Sequence, residues 1–137
     1  MRILLAVDGS KHCLAAVDSL VAHADWYRSK PEVELVTVHL PIPSVGVGKG
    51  QAQKYYDEEG AARLAPAKKK LDAARIRYAA HALVGPVAET LVKHAKSAGC
   101  DLIFIGTRGM TATAGALLGS TSTKVIHISP IPVLLVK

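Results

Sequence analysis

The spacing of hydrophobic positions along this chain switches repeatedly between two patterns. Ile3, Leu4, Leu5, Ala6 and Val7 form an unbroken apolar run, and residues 2–8 therefore read as a strand buried on both faces. After Ser10, placed to cap a helix, Cys13, Ala16, Val17, Leu20, Val21 and Ala24 recur at helical spacing. A loop is expected over residues 27–31 and a second strand over residues 33–40, with Val36 and Val38 inside it. Pro41, Pro43, Gly46, Gly48 and Gly50 then mark a flexible connection. From Gln51 to about Ala74 the sequence is rich in Ala, Lys and Glu, the composition of a long helix; Pro66 is expected to kink or interrupt it, because proline removes an interior hydrogen bond.

Residues 75–84 read as a third strand, polar and rich in alanine. Gly85 and Pro86 turn the chain into a helix whose inner face carries Val87, Leu91, Val92, Ala95 and Ala98. Residues 101–105 make a fourth strand around Leu102, Ile103, Phe104 and Ile105. A short helix follows Gly119 and stops before Pro130, and Val133 to Val136 close the pattern as a last strand. Strand and helix thus alternate, which implies parallel strands joined by right-handed crossovers. The fold class is α/β: a doubly wound, Rossmann-like parallel sheet of about five strands with helices on both faces. The length of 137 residues suits one domain across residues 1–137.

Composition adds constraints. Half of the residues are hydrophobic but only 4% are aromatic, so the core must come from Val, Leu, Ile and Ala. Cys13 and Cys100 are too sparse for a disulfide framework and lack CxxC spacing; they read as buried, reduced thiols rather than a redox switch. The apolar start is cut off by Asp8 and Gly9, too soon for a signal peptide, and no apolar run approaches the ~18 residues of a membrane span. A cytoplasmic protein is expected. The formal charge of +6 includes the run Lys68, Lys69, Lys70, which reads as a solvated helix face. Nucleic-acid binding would call for basic residues interleaved with stacking aromatics, and only Lys54, Tyr55 and Tyr56 cluster in that way.

In an open parallel sheet, ligands bind beyond the carboxyl ends of the strands, where strand order reverses. Asp8 and Gly9 end the first strand there, and Gly106 ends the fourth. Gly106-Thr107-Arg108-Gly109 is followed by nine residues and then by Gly119-Ser120-Thr121-Ser122. Phosphate oxygens need convergent donors and a close backbone approach, which glycine permits. The helix opening at Gly119 supplies free N–H groups and a favourable dipole. Ser120, Thr121 and Ser122 can add hydroxyls, and Arg108 a charge. Each glycine alone could be a turn residue and Ser122 a helix cap. In sequence between a buried strand and a helix, they read together as a phosphate cradle.

This segment resembles the G-x-x-G-(nine residues)-G-[S/T] signature of ATP-binding members of the universal stress protein family. The flanks are similar too: residues 3–10 to the family's opening strand, Val36-Thr37-Val38-His39 to its second, and Gly85-Pro86-Val87-Ala88-Glu89 to the entry of its third helix. Residues 101–106 and 132–136 are similar to its last two strands. The resemblance implies sheet order 3-2-1-4-5. It implies ATP as ligand, with Asp8 on the ribose, the backbone near Val38 at the adenine edge, and Gly106 against the ribose or first phosphate. Gly109, Gly119, Ser120 and Thr121 would hold phosphates bridged by Mg2+ or Mn2+. With Ala6, Val7, Arg108 and Ser122, these form the candidate nucleotide-binding set. The resemblance further implies a homodimer paired through Val133 to Val136, acting as a nucleotide-dependent sensor or regulator. Thr121 departs from the aliphatic residue of many relatives, and Pro66 is unusual in the second helix.

Other chemistry is set aside. Gly46-Val47-Gly48-Lys49-Gly50 hints at a P-loop, but Pro43 stands where its first glycine belongs and Gly50 where Ser or Thr should bind magnesium. The six histidines, His12, His23, His39, His81, His94 and His127, show no pair at metal-ligand spacing, so no metal site is expected on protein ligands. His39 is expected half exposed at a strand end. No nucleophile–base pair is evident, so no catalytic residue is assigned and at most weak ATPase activity is expected. The alternatives are a slow ATP-hydrolysing enzyme of the same fold and a variant that prefers AMP or cyclic AMP.

Overall fold

Two hydrophobic layers sandwich one sheet, and the alternation of side chains along its strands assigns each residue to a layer. The computed structural model describes residues 1–43, 46, 48–107 and 118–137. Its elements are β1 (Arg2–Ala6), α1 (Leu14–Ala22), a single 3-10 turn (Ala24–Trp26), β2 (Glu32–His39), α2 (Lys49–Ala73) and β3 (Tyr78–Val84). They continue with α3 (Val87–Ser97), β4 (Leu102–Gly106), α4 (Ser120–Ile128) and β5 (Val133–Val136). All pairings are parallel and the order is β3-β2-β1-β4-β5, as expected. Ile3, Leu5 and Val7 of the β1 segment face α1 and α2, with Leu20, Leu35, Leu64, Leu71 and Phe104. Leu4 and Ala6 face α3 and α4, with Val36, Leu91, Val92, Ile103 and Val125. That double burial explains why β1 reads as an unbroken apolar run.

Several boundaries differ from the sequence reading. Ser10 does hold the capping geometry, its Oγ accepting from the Cys13 N–H at 3.2 Å, but regular helix begins only at Leu14. The α2 helix runs unbroken through Pro66. Pro66 and Ala62, whose carbonyl loses its partner, both sit on the exposed face, where water can replace the missing bond. The third strand starts at Tyr78 rather than Arg75. Residues 75 and 76 instead close α2: the Ile76 N–H donates to Leu71 O and the Arg75 N–H to Asp72 O, with Arg75 at φ 55°. This is a Schellman ending with arginine in the position glycine usually fills. The same motif ends α3, where Gly99 takes φ 67° and Cys100 N–H reaches Ala95 O. With arginine in place of glycine, the turn between α2 and β3 carries no glycine signal, and residues 75–77 read as strand.

One histidine expectation is overturned. His39 is buried, 2% exposed, because α2 lies across the end of β2 at Gly60. His81 of β3 and His94 of α3, thirteen positions apart, meet at Glu34 of β2 under α3. Sequence spacing could not show this, since the three residues come from three different elements. Among the described residues no helix is long and apolar enough to cross a membrane.

Candidate nucleotide site

The reversal of strand order falls between β1 and β4, and a cavity of about 570 Å³ opens there beyond their carboxyl ends. That size is typical of small-molecule sites. Ala6, Val7 and Asp8 line it from β1, Val38 and His39 from β2, Gly106 from β4, and Gly119, Ser120, Thr121 and Ser122 from the start of α4. Nine of the eleven residues singled out from sequence are thus brought to one cavity. The other two, Arg108 and Gly109, lie outside the described residues.

Local chemistry explains the arrangement. The Asp8 carboxylate accepts the Ser10 N–H at 2.8 Å, and Gly9 turns at φ 84°. Gly9 is required twice over, because a Cβ there would stand 2.9 Å from Arg63 Cγ. At the opposite wall, the Gly119 N–H donates to Thr107 O at 2.6 Å, and Gly119 begins α4 with no side-chain cap over its first amides. Ser122 also has a tertiary contact that the sequence reading did not include. Its buried hydroxyl donates to Gly106 O at 2.7 Å, tying the end of β4 to the first turn of α4. Ser120 and Thr121 also line the cavity.

Val38 offers backbone rather than side chain. Val36 O accepts from the Val7 N–H and His39 O from the Gly85 N–H, so alternation turns the Val38 amide and carbonyl toward the side that β1 occupied until it ended. A planar base edge needs such a donor and acceptor.

Arg63 was missed in the sequence. It reaches from α2 over Gly9, its Nη1 donating to Val38 O at 3.3 Å and its Nε lying 3.6 Å from Glu59 one turn earlier. It places a cation on the cavity wall opposite the helix dipole of α4. The glycine three positions before it was the available signal: Gly60 lets α2 sit close enough for Arg63 to arrive. Burial, then the Arg63 charge, pushes the His39 imidazole below its ordinary value, with Glu59 acting weakly the other way.

A pH dependence follows from His39. Its pKa is lower folded than unfolded, so its contribution to stability is complete above about pH 6.5 and is lost as pH falls through the folded value. The urea midpoint of the protein is expected to decline between pH 7 and 5, and His39→Gln to flatten that decline. An unchanged slope in the variant would assign the titration to other groups.

Cys13 also lines the cavity. Burial raises the pKa of both thiols, that of Cys100 to about 11 with the Glu34 charge adding to the effect, so neither is a reactive thiolate near neutral pH.

The model of the universal stress protein family matches residues 1–137. The chain belongs to the universal stress protein family. A universal stress protein of Thermus aquaticus, from the QAH/OAS sulfhydrylase 3'region, is 34% identical over 98% of this chain and 97% of its own length. Among solved structures, the hypothetical protein MJ0577, a test case for assigning biochemical function from structure, superposes with a TM-score of 0.85 at 28% identity. The match covers 99% of this chain and 94% of that one. A universal stress protein in complex with cAMP gives 0.74 at 26% identity, covering 100% and 97%. The universal stress protein fold and its sheet order are therefore shared along the whole chain.

Proposed function

We propose that this chain is an ATP-binding universal stress protein that acts as a nucleotide-dependent sensor or regulator in the cytoplasm. The observation that carries the reading is the convergence of Asp8, the Val38 backbone, Gly106 and the uncapped start of α4 on one cavity at the reversal of strand order. Asp8 would accept from the ribose hydroxyls, and the Val38 backbone would meet the adenine edge. The amides and hydroxyls of Gly119, Ser120 and Thr121 would hold the phosphates, with Arg108 and Gly109 completing the cradle. Asp8 is the single carboxylate among the described residues lining the cavity, so a divalent cation would be held through the phosphates rather than by protein ligands. No described residue there pairs a general base with a γ-phosphate position, which favours holding ATP over hydrolysing it.

The test is direct. Protein purified without added nucleotide is denatured and any released nucleotide identified by mass spectrometry. Then ATP, ADP, AMP and cyclic AMP are titrated calorimetrically with and without Mg2+. Tightest binding of ATP, strengthened by Mg2+, is expected. Preference for cyclic AMP, the ligand of one structural relative, would move the reading to that nucleotide, and heat from none of the four would overturn it.

The regulator is proposed to be a homodimer joined by β5. Among the described strands β5 pairs only with β4, leaving its outer edge available, and Leu134 is 38% exposed on it. A short apolar edge is an association surface, and lysine is the residue that natural edges use to block it. Leu134→Lys is expected to convert a dimer to a monomer in analytical ultracentrifugation while leaving nucleotide affinity within about threefold, because β5 is remote from Asp8 and Val38. A wild-type monomer, or a variant that stays dimeric, would place the interface elsewhere or remove it.

A further inference from the structure

Under α3, away from the nucleotide cavity, three potential metal ligands converge. Glu34 and His81 rise from the same face of the sheet: His81 is the register partner of Val36, one same-face step beyond Glu34. His94 reaches them from α3. Glu34 Oε2 lies 2.6 Å from His81 Nε2 and 3.0 Å from His94 Nε2, and the two imidazole centroids are 4.5 Å apart. The three ligand atoms all lie within 4.8 Å of one another.

One carboxylate oxygen is here asked to serve two imidazole nitrogens. His94 makes a hydrogen bond to it. His81 Nε2 is buried and, despite the short distance, has no hydrogen-bond partner among the described residues, so its N–H direction misses the oxygen. The two rings, tilted by 53° with centroids 4.5 Å apart, compete for that one oxygen. Burial acts to raise the Glu34 carboxyl, but His94 and His81 outweigh it and hold the group below the ordinary carboxylate range, so the carboxylate is charged at neutral pH.

A metal ion satisfies all three groups at once. We propose that Glu34, His81 and His94 form a binding site for a divalent transition-metal ion, zinc foremost, with water completing the coordination. Two imidazoles and one carboxylate with an open position are a common zinc ligand set. Tetrahedral bonds of about 2.0–2.2 Å put ligand atoms roughly 3.3 Å apart, so Oε2, now 2.6 Å from His81 Nε2 and 3.0 Å from His94 Nε2, needs to move only a fraction of an ångström from each. The side chains keep partial exposure, 33% at His81 and 17% at His94, which provides an entry path and room for the water. Nitrogen donors select against Mg2+ and Ca2+. The site is therefore chemically distinct from a cation carried by nucleotide phosphates. It is also spatially separate: Glu34 and Val38 are four residues apart on β2, ~13 Å along the strand. An ion here would clamp β2, β3 and α3 together.

The test uses the full chain, stripped with a chelator and free of nucleotide. Zn2+ titrated calorimetrically is expected to bind one ion per chain and to raise Tm, Mg2+ to do neither, and Co2+ to give the visible absorption of a four-coordinate site. His81→Gln, His94→Gln and Glu34→Gln are each expected to weaken Zn2+ at least about tenfold, while His127→Gln, on the exposed side of α4, leaves it unchanged. In the wild type, imidazole nitrogen resonances of His81 and His94 should move on adding Zn2+ and those of His12 and His127 should not. That measurement decides the matter even if a variant fails to fold. Dissociation constants weaker than about 100 µM, affinity unchanged in both histidine variants, or shifts confined to the other histidines would each overturn the proposal.

Discussion

Gly60→Val is expected to lower Tm by roughly 6–8 °C, corresponding to about 2 kcal/mol for a domain of this size. Gly60 sits on the buried face of α2 with Leu64, Ala67 and Leu71. A Cβ added there would stand 2.7 Å from Ala82 Cβ and 3.4 Å from His39 Nε2. The first distance is one that real carbon pairs do not tolerate, and Ala82 belongs to β3, whose backbone is tied to β2 in register. Valine gains a few tenths of a kcal/mol over glycine in intrinsic helix preference, which does not offset the overpacking. The helix must therefore lift from the sheet, taking Arg63 with it. A thermal melt checks the stability, and the same sample should bind nucleotide more weakly. A melt unchanged by Gly60→Val would mean that α2 packs at a different distance over β2 and β3.

The second large effect concerns Asp8 and rests on the nucleotide-binding reading. Asp8→Ala is expected to weaken ATP by roughly 10- to 100-fold, the worth of a charge-assisted hydrogen bond to a ligand hydroxyl. Asp8 also accepts the Ser10 N–H, so alanine removes a turn contact as well. Asp8→Asn separates the two roles. The amide oxygen still accepts from Ser10, but the carboxylate charge is gone. The asparagine variant should melt closer to the wild type than the alanine variant does and yet bind ATP severalfold more weakly than the wild type; the alanine variant should lose on both counts. Calorimetric affinity unchanged in Asp8→Ala would reduce Asp8 to a turn residue.

Much of this architecture is legible in the sequence because parallel sheets write their burial plainly. Ile3 to Val7 and Leu102 to Ile105 cannot face water on either side, and alternation with helices leaves few topologies. The cavity wall from Gly119 to Ser122 is legible for a similar reason: its residues are contiguous, and their chemistry is that of a helix start. What could not be read arises from contacts between distant segments. Arg63 joins the site only because Gly9 and Gly60 clear its path from α2. His39 looks like a strand-end residue until α2 is laid across it. The Glu34, His81 and His94 cluster needs the β2–β3 register and the position of α3 together. The start of β3 is read three residues early for a local reason, since Arg75 occupies a left-handed position without the glycine that normally advertises a turn. Ser122 shows a subtler limit: its residue type predicted a donor correctly, while the identity of the acceptor, Gly106 O, is a tertiary fact.

The central place of β1 has a consequence for how the protein is made. Its two neighbours are β2 and β4, so one side of β1 can be paired early in synthesis, whereas the other waits until residues 102–106 have emerged. At ribosomal rates of about 5–20 residues per second, the nascent chain holds a half-covered β1 for several seconds. During that interval the apolar residues that later face α3 and α4 have no cover, and the gap between β1 and β4 does not yet exist. The cavity is consequently closed only late, once Gly119 to Ser122 have emerged, and a ligand can select only chains in which α4 has already folded back beside the first strand.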